Sequence, residues 1–376
     1  MITLGPAAAL GDVPPVWLRD NCPCGACRDP GTGQKLFQIT ELPTDLAVAA
    51  VREVPANNGG PAREVVWAPD GHRSVFPEAW LAAHLPVNDP GLVGGDGRTE
   101  ADKRLWAATD LQGRVPETGW ASYTADPGAR ARALEAVVRL GFVILRDVPC
   151  RDRQVLEVAE SFGFVRETNY GPLFEVRVET DPNNLAFTSA RITPHTDNPY
   201  RDPVPTLQVL HCLANDTRGG DSGLVDGFHA ASLLRREQPD SFATLTRTPV
   251  PFVFADSGTE LRAHRPLIET DPLGRIREVR FNNRSISTLR HRAEVIDDFY
   301  AAYRRFAELL LRPELQLDVR LAPGDCVVVD NTRLLHARTA FSESGDRHLQ
   351  GTYADLDGLL STLAVLRRTP AERATA

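Results

Sequence analysis

The sequence predicts a mainly β protein with flanking helices, in which a double-sheet jelly roll follows a small α+β N-terminal domain. The jelly roll is indicated by many short apolar runs in the second half of the chain, separated by turn-forming residues. Helical patterns are bunched between these runs instead of alternating with them, which disfavours a parallel strand–helix–strand fold. The N-terminal domain is indicated by a cysteine cluster between Cys22 and Cys27 and by a turn-rich stretch that follows it.

The composition is that of an ordinary globular protein, with 376 residues, 42% hydrophobic residues and a net charge of -8. A chain of this length can bury a large core and hold more than one domain. Its negative charge argues against general binding to nucleic acid or to anionic membranes. No apolar run approaches the length of a membrane span, and the N-terminus lacks a signal-peptide pattern, so we expect a cytoplasmic protein. The scattered Cys150, Cys212 and Cys326 are expected to be buried and inert.

The cluster of Cys22, Cys24 and Cys27 lets three thiolates converge on one ion from a tight turn. Zinc needs a fourth ligand, which we expect to be His72, with His84 as the alternative. A closed site of three cysteines and one histidine leaves no position for water, so this zinc would be structural. The competing interpretation is three reduced thiols without a metal.

The N-terminal zinc-binding domain is expected to cover residues 1–90, with short strands at Leu36–Thr40 and Glu64–Trp67. Turn formers then mark a domain boundary. Residues 91–125 are predicted to be a linker packed on the next domain, because four apolar side chains in it need burial: Leu105, Trp106, Leu111 and Trp120. The second domain would cover residues 126–376.

In the second domain, apolar residues at helical spacing predict a helix over Pro127–Leu140, which Gly141 ends. Another helix is expected over Asp152–Phe162, with Asp152 as its N-cap. Apolar or alternating runs predict strands at Phe142–Leu145, Phe174–Val178, Leu185–Thr188, Thr206–Leu213, Gly219–Asp226, Leu315–Leu321, Asp325–Asp330 and His348–Ala354. Further helices are expected at Gly227–Gln238 and Ala293–Leu311.

The stretch Thr193–Tyr200 contains a candidate metal site, because His195 and Asp197 are two residues apart and would share one face of a strand. A third ligand would come from the late β-rich segment that ends at His336. Two histidines and one carboxylate on one face of a metal, with other positions open, form the arrangement of non-haem Fe(II) oxygenases. A single histidine is more often a structural imidazole. The combination, followed by Arg347, therefore carries the prediction.

A series of short motifs runs through the chain. It begins with Trp17-Leu-Arg-Asp-Asn-Cys-x-Cys-x-x-Cys27 and continues with Thr168–Gly171, Asp181–Phe187, His195–Asp197, Leu210–Cys212, Gly219–Ser222, Phe281–Asn283, Asp330–His336 and Arg347–Asp355. Their order and joint presence resemble the γ-butyrobetaine dioxygenase and trimethyllysine dioxygenase family, from Trp17 to about Arg368. The resemblance implies a hydroxylase on a double-stranded β-helix (jelly roll), dependent on Fe(II), O2 and 2-oxoglutarate. It also implies a zinc-bearing N-terminal domain, a homodimer, and ascorbate as reductant.

The resemblance also assigns roles to residues. His195, Asp197 and His336 would hold Fe(II), and retention of the carboxylate favours hydroxylation over halogen transfer. Arg347 would bind the far carboxylate of 2-oxoglutarate through its fork of N–H groups, with Arg338 as a nearby competitor. Asn184 matches a position that the family uses near 2-oxoglutarate.

On the substrate side, the family's cage for a trimethylammonium group falls on four aromatic residues: Tyr170, Phe174, Phe187 and Tyr353. The two phenylalanines give a weaker cation–π contact than tryptophan. Asn198 stands where a tyrosine is expected, and its polar side chain beside the iron ligand would bind an amine, a carboxylate or a hydroxyl group of the substrate. Asn282 or Asn283 would contact the substrate carboxylate. The expected reaction is γ-butyrobetaine to L-carnitine, with succinate and CO2 as co-products. The alternatives are the same chemistry on another small amine, betaine or amino acid, including trimethyllysine-like or secondary-metabolite substrates, or a non-catalytic metal-binding sensor.

Overall fold

The computed structural model describes residues 13–56, 59–84, 96–177, 190–342 and 345–368. The chain divides into two compact units, residues 1–94 and 95–376. The predicted linker covers residues 91–125, and its described part, from residue 96, is grouped with the second unit. Within the described ranges, no helix combines the length and the apolarity that crossing a membrane would require.

The first unit is a three-stranded antiparallel sheet with two short helices. Its elements are α1 (Pro15–Asp20), β1 (Ala47–Pro55), β2 (Pro61–Ala68), β3 (Arg73–Pro77) and α2 (Glu78–His84), with the strands in the order β1-β2-β3. The core forms between the sheet and the helices, where Leu18, Val65, Trp67, Phe76 and Leu81 are almost completely buried. The Trp67 indole donates to Ser74 Oγ at 2.9 Å, which satisfies the polar group that burial of this ring brings with it.

The strand predicted at Leu36–Thr40 is wrong, whereas the one at Glu64–Trp67 is confirmed as part of β2. Residues Ile39–Glu41 form a turn of 3-10 helix. Its first turn is fixed locally, since the Gln38 backbone N–H donates to Glu41 Oε1 at 2.7 Å. Leu36 is 56% exposed, so its apolar character reflects no core position.

The second unit begins with α3 (Ala108–Leu111), β4 (Glu117–Gly119), α4 (Trp120–Ala125), α5 (Pro127–Leu140), β5 (Phe142–Arg146), α6 (Gln154–Glu160), β6 (Phe174–Val176), β7 (Ile192–His195), β8 (Leu207–Asn215) and β9 (Ser222–Asp226). It continues with α7 (Gly227–Glu237), α8 (Pro239–Arg247), β10 (Val250–Ala255), β11 (Glu260–Arg265), β12 (Ile268–Thr270), β13 (Ile276–Val279), α9 (Ala293–Leu310), β14 (Gln316–Val319), β15 (Cys326–Asp330), β16 (Leu334–Arg338), β17 (Arg347–Ala354) and α10 (Leu356–Arg367).

Two sheets form the centre of the second unit. The larger sheet has the strand order β4-β5-β15-β8-β17-β6, and the smaller has the order β14-β9-β16-β7. Apart from the parallel pair β4–β5, neighbouring strands in both sheets run antiparallel. The predicted double-sheet jelly roll is confirmed.

Alternation along β15 explains how the larger sheet is covered on both faces. Val327 and Val329 belong to the core between the sheets, where they join Leu224 and Leu334 of the smaller sheet. Cys326 and Val328 point the other way, into the layer formed with α5, α6 and α10. Successive side chains of a strand face opposite sides, so a continuous apolar run is expected where both faces are buried.

The ends of α5 follow the sequence prediction. Asp126 caps its start, because the carboxylate accepts from the backbone N–H of Gly128 at 2.8 Å and of Ala129 at 3.1 Å. Gly141 ends the helix with φ 92°, a conformation that glycine adopts without strain. The second predicted helix is shorter than expected, and Asp152 is not its cap. Arg153 interrupts the pattern with φ 63° before α6 begins at Gln154.

The outer face of the smaller sheet is covered by elements that the sequence analysis missed in part: α8 and the hairpins β10–β11 and β12–β13, which join α7 and α9. A buried ion pair links this layer to β16. Arg333, just before β16, pairs with Asp226 at 2.7 Å, and both side chains are completely buried. Asp226 also caps α7 and accepts from the Trp106 backbone N–H. One carboxylate therefore fixes the start of the strand that carries His336.

Candidate active site and metal centres

His195 and His336 are direct partners across two antiparallel strands. β7 ends at His195, and β16 places His336 opposite it in register. The ring centroids lie 4.2 Å apart. The Nδ1 atom of His195 lies 3.0 Å from the carbonyl oxygen of Thr193, so it acts as the donor there and leaves the ring's lone pair on Nε2.

Asp197 completes this group. Its Oδ1 atom lies 3.5 Å from Nε2 of His195 and 3.6 Å from Nε2 of His336. Its Oδ2 atom accepts hydrogen bonds from the Gln208 amide and, at 2.8 Å, from the Tyr353 hydroxyl. One donor atom from each of the three residues lies within 4.8 Å of the others. The carboxylate thus presents one oxygen to the histidines while the protein holds the other.

The protonation states of this group suit a divalent metal. Burial and repulsion from His195 lower the pKa of His336 to about 3, against the attraction of Asp197. Burial opposes ionisation of Asp197, but the attraction of His336 and the hydrogen bonds that it accepts hold the pKa of Asp197 well below its ordinary value. A neutral imidazole and an ionised carboxylate are the forms that bind metal. The donor set of two histidines and one carboxylate fits Fe(II).

A cavity of about 110 Å³ lies between the two sheets beside these side chains. Both sheets contribute apolar side chains to its wall, for example Leu210 and Leu349 from the larger sheet and Leu224 from the smaller. Its polar lining consists of His195, Asp197, Gln208, Ser222, His336, Arg338 and Arg347. The three candidate metal ligands and two arginines therefore share one small, mostly apolar space.

Arg347 is the first residue of β17 and is 7% exposed. Within the described part of the chain it forms no ion pair, and its Nε atom has no hydrogen-bond partner. Burial lowers the pKa of its guanidinium. Gly220 makes room for it, because a Cβ there would lie 3.0 Å from Arg347 Nε. A buried cation without a carboxylate in the described chain, in a cavity beside a metal site, suits the carboxylate of a small ligand.

Arg338 lies two residues after His336, so both side chains face the cavity. Burial and repulsion from Arg347 lower the pKa of Arg338 to about 10. The two guanidiniums lie against the Phe341 ring, at 4.9 Å for Arg338 and 5.3 Å for Arg347. Because the Arg338 guanidinium also donates to the Ala190 carbonyl oxygen at 2.8 Å, part of its fork is already used.

The predicted zinc ligands come together in the first unit. Nε2 of His72 lies 3.3 Å from Sγ of Cys22, 3.6 Å from Sγ of Cys24 and 3.5 Å from Sγ of Cys27. Tetrahedral zinc, with Zn–S of about 2.3 Å and Zn–N of about 2.0 Å, would separate sulfur and nitrogen by about 3.5 Å. The alternative ligand His84 lies elsewhere: its ring stacks on Trp80 at 4.5 Å.

The charge state of the cluster also fits a bound cation. Burial raises the pKa of Cys22 to about 12, so this thiol would ionise at neutral pH only beside a positive ion. Burial, followed by the charge of Arg19, lowers the pKa of His72, which keeps its imidazole neutral. The Arg19 guanidinium donates to Sγ of Cys27 at 3.2 Å. This contact fixes the position of the Cys27 sulfur.

Residues 109–353 match the model of the taurine catabolism dioxygenase TauD, TfdA family. The chain belongs to this family. Residues 9–82 match a second model, gamma-butyrobetaine hydroxylase-like, N-terminal. The family predicted from the sequence is therefore confirmed, and with it the enzyme class, a dioxygenase that depends on Fe(II) and 2-oxoglutarate.

Relatives of this TauD, TfdA family member include enzymes named for two substrates. Gamma-butyrobetaine dioxygenase of Pseudomonas sp. (strain AK-1) is 38% identical over 94% of this chain and 90% of its own length. Trimethyllysine dioxygenase of Meyerozyma guilliermondii is 30% identical over 93% of this chain and 89% of its own. The solved taurine dioxygenase of Burkholderia xenovorans has a TM-score of 0.50 at 17% identity, covering 64% of this chain and 88% of that one, which supports the fold.

Two of the aromatic residues predicted to form a cage lie side by side. Phe174 is part of the cavity wall and stacks on Tyr353, with ring centroids 5.0 Å apart. Gly351 permits this packing, because a Cβ there would lie 2.2 Å from the Phe174 ring. The Tyr353 hydroxyl is directed at Asp197, and burial raises its pKa well above the ordinary value. Tyr353 is thus a neutral donor that orients a metal ligand, a role that the cage prediction did not include.

Tyr170 contacts two aromatic residues that the sequence analysis missed. Its hydroxyl lies 3.3 Å from the hydroxyl of Tyr200, and its ring meets Phe254 edge-on at 5.9 Å. Tyr200 in turn stacks on Phe254 at 5.0 Å. The remaining predicted residues Phe187 and Asn184 lie outside the described residues.

The predicted asparagines differ in what they contact. Asn282 is buried, and its amide donates to the Thr196 carbonyl oxygen at 3.1 Å. This hydrogen bond joins the segment around Asn282 to the segment that carries His195 and Asp197. Asn283 is exposed. Asn198 is buried directly after Asp197.

Two residues that hold Asp197 were not predicted from the sequence. Gln208 is 2% exposed on β8 and donates to the Asp197 carboxylate. Asn331 accepts from the Asp197 backbone N–H at 2.8 Å and donates to its carbonyl oxygen at 3.1 Å. A signal for Gln208 was present, because it stands between Leu207 and Val209 in a mostly apolar strand, two residues before Leu210.

Proposed function

We propose that the chain hydroxylates γ-butyrobetaine to L-carnitine, with 2-oxoglutarate as co-substrate and succinate and CO2 as co-products. The observation that carries this proposal is the His195–Asp197–His336 donor set in one cavity with the buried Arg347. His195, Asp197 and His336 would hold Fe(II), and the Arg347 guanidinium would bind the far carboxylate of 2-oxoglutarate. Iron and 2-oxoglutarate together supply the oxidising power that puts one oxygen atom of O2 into a substrate C–H bond.

The chain's own contribution is to position groups. Gln208 and Tyr353 hold Oδ2 of Asp197, which fixes the direction of Oδ1 toward the metal position. The Thr193 carbonyl sets the tautomer of His195. The apolar walls around Leu210 and Leu224 keep bulk water from a reactive centre. Arg347 provides parallel donors for a carboxylate at a fixed place, so 2-oxoglutarate would enter in one orientation. Arg338 is a second, weaker candidate for this contact.

The choice of substrate is supported by relatives and by aromatic residues. The Pseudomonas relative that is 38% identical is named for γ-butyrobetaine. A quaternary ammonium donates no hydrogen bonds and is held by ring faces. One aromatic pair, Phe174–Tyr353, lies beside the cavity, and a second pair is formed by Tyr170 and Tyr200. The trimethyllysine dioxygenase relative keeps a second candidate open, the same chemistry on a trimethylated amino acid or another small amine.

The first unit would bind structural zinc through Cys22, Cys24, Cys27 and His72, supported by sulfur–nitrogen separations that match tetrahedral zinc. The proposal further includes a homodimer in the cytoplasm that uses ascorbate as reductant. The dimer and the reductant rest on the resemblance in sequence, and the location rests on the sequence pattern described above. Light scattering and a comparison of turnover with and without ascorbate would test it.

Succinate formation tests the main proposal. The purified protein is supplied with Fe(II), 2-oxoglutarate, ascorbate and either γ-butyrobetaine, trimethyllysine or other small amines. We expect γ-butyrobetaine to stimulate succinate formation most strongly and to give a product heavier by one oxygen atom. Stronger coupling to trimethyllysine would support the second candidate, and no succinate with any amine would contradict the enzyme proposal.

Metal content provides the matched control. His195→Ala should abolish turnover and lose iron while zinc stays bound, because the two sites have no ligand in common. His264→Ala alters an exposed histidine on β11 and should change neither activity nor metal content. Full activity of His195→Ala would show that the iron assignment is wrong.

A further inference from the structure

Two segments run side by side next to the candidate iron site. The Thr196 backbone N–H donates to the Phe281 carbonyl oxygen at 2.8 Å, and the Phe281 N–H donates to Thr196 Oγ1 at 3.1 Å. The Asn282 amide then donates to the Thr196 carbonyl oxygen at 3.1 Å. Asn198 lies two residues after Thr196, and Arg284 lies two residues after Asn282. Both therefore emerge close to the metal ligand Asp197.

Asn198 has a buried amide that the protein does not satisfy. The residue is 4% exposed, and in the described part of the chain neither its Nδ2 nor its Oδ1 has a hydrogen-bond partner. Its φ of 53° is in the left-handed region, which asparagine tolerates better than most residues. Leaving a buried polar group without a partner costs about 1–3 kcal/mol. An amide kept at such a cost beside a metal ligand indicates a partner that comes from outside the chain.

Arg284 is a cation without an acidic partner among the described residues. Arg280, four residues earlier, contacts Glu278 and lies 3.8 Å from Asp202, so the nearby carboxylates are already paired. The Arg284 Nε has a single long contact, 3.4 Å to Asn282 Oδ1. The residue is exposed at the surface, as expected for a side chain at the opening of a site.

The charge of Arg284 acts on the residues around the metal position. Burial of part of the side chain lowers the pKa of Arg284, and the attraction of Asp197, Tyr170 and Tyr200 opposes this. Its charge also contributes to the lowered pKa of His336, after burial and repulsion from His195. The guanidinium is thus within electrostatic range of the metal ligands and of the Tyr170–Tyr200 pair. The cavity wall that contains Arg347 does not include it.

We propose that Arg284 and Asn198 bind a carboxylate of the primary substrate and so determine its specificity. This inference rests on the proposed function and names the substrate class within it: small molecules that carry an anionic group. The guanidinium provides charge and paired N–H donors, and the Asn198 amide adds a neutral donor close to the iron. Arg347 serves 2-oxoglutarate, and Arg284 serves the molecule to be hydroxylated. A zwitterion would enter with its anionic end at Arg284 and its ammonium group against aromatic rings.

Equilibrium binding to the full-length holoenzyme tests this assignment. The protein is loaded with Fe(II) and 2-oxoglutarate without oxygen and titrated with three probes: γ-butyrobetaine, its carboxamide, and butyrate. The carboxamide keeps the trimethylammonium group and lacks the negative charge, whereas butyrate keeps the carboxylate and lacks the ammonium group. Arg284→Gln should weaken γ-butyrobetaine and butyrate roughly 10- to 100-fold and change carboxamide binding by less than about threefold. Asn198→Asp, which places a negative charge at the same position, should also weaken the two carboxylates selectively. Arg290→Gln, at an exposed arginine nearby, is the matched control and should change nothing.

The outcomes separate this inference from the proposed function. Equal weakening of γ-butyrobetaine and its carboxamide by Arg284→Gln would overturn the inference, and so would weaker binding of 2-oxoglutarate in its place. A wild-type enzyme that prefers butyrate to the carboxamide but does not hydroxylate γ-butyrobetaine would keep the inference and reject the proposed substrate. A wild-type enzyme that binds neither carboxylate would reject the inference. In that case the Asn198 amide is satisfied by water alone.

Discussion

Replacing Tyr353 by phenylalanine would remove one hydroxyl and leave the rest of the site unchanged. The ring would keep its stacking on Phe174, 5.0 Å away. The hydrogen bond to Oδ2 of Asp197, now 2.8 Å long, would be lost, and Gln208 would be the remaining side-chain donor to that oxygen. A hydrogen bond to a charged group contributes about 1.5–3 kcal/mol. We therefore expect Fe(II) affinity to fall roughly 10- to 100-fold, the range typical for residues that orient a metal ligand.

Anaerobic competition between the protein and a chelator for Fe(II) measures this change. The free energy of unfolding of the metal-free protein should fall by no more than about 1.5–3 kcal/mol, the contribution of this one hydrogen bond, because the packing of the ring is retained. Tyr300→Phe, at a tyrosine that is 49% exposed on α9, is the matched control. The reasoning is refuted if Tyr353→Phe binds Fe(II) like the wild type and instead raises KM for the primary substrate. Tyr353 would then act in the cage that the sequence suggested.

Three further variants test other parts of the structure. Arg347→Lys should raise KM for 2-oxoglutarate by about 10-fold or more with little change in KM for the primary substrate, because a lysine cannot form two parallel hydrogen bonds. Steady-state kinetics with each substrate varied in turn measures both constants. An unchanged KM for 2-oxoglutarate would mean that another cation binds its far carboxylate. Cys24→Ser should lose zinc and lower the melting temperature, since structural zinc contributes folding free energy; equal zinc content by elemental analysis would contradict the site. Gly351→Ala should destabilise the protein by about 1–3 kcal/mol in a denaturation experiment, because its Cβ would lie 2.2 Å from the Phe174 ring. Gly258→Ala is the control and should be tolerated, because its Cβ would have only a contact at 3.9 Å.

The elements with strong local patterns were the ones that could be read from the sequence. Pro127–Leu140 has apolar residues at helical spacing and a glycine at its end, and the structure has the helix with the same bounds. The buried runs Phe142–Leu145 and Asp325–Asp330 became paired strands of one sheet, because apolar residues on both faces leave few other arrangements. Local pattern and tertiary packing agree in these segments.

Other segments depend on contacts that a single sequence does not reveal. Leu36–Thr40 has strand-like residues but no partner strand, and a local turn forms instead. Asp152 has the side chain of a helix cap, yet it accepts a hydrogen bond from Gln350, almost two hundred residues later, and the helix starts without it. The role of Asp152 was decided by a distant strand.

The candidate site was predictable in its ligands and less so in their support. His195, Asp197 and His336 were indicated by spacing and resemblance, and their donor atoms meet within 4.8 Å. Gln208 and Arg284 were missed, because neither residue type is rare and their importance lies in what they face. Arg284 directly follows Asn282 and Asn283, which the resemblance had indicated, but it was not itself predicted.

The pairing of His195 with His336 makes iron binding depend on correct folding. The two residues are 141 positions apart in the chain and meet only when β7 and β16 pair in the correct register. A slip by one residue would turn His336 to the other face of its sheet. A ligand that binds only the native state stabilises it, by about 2.7 kcal/mol when its free concentration is about 100 times its Kd. Chains that reach the correct register would therefore be selected and retained by the metal, and misregistered or truncated chains would stay unloaded.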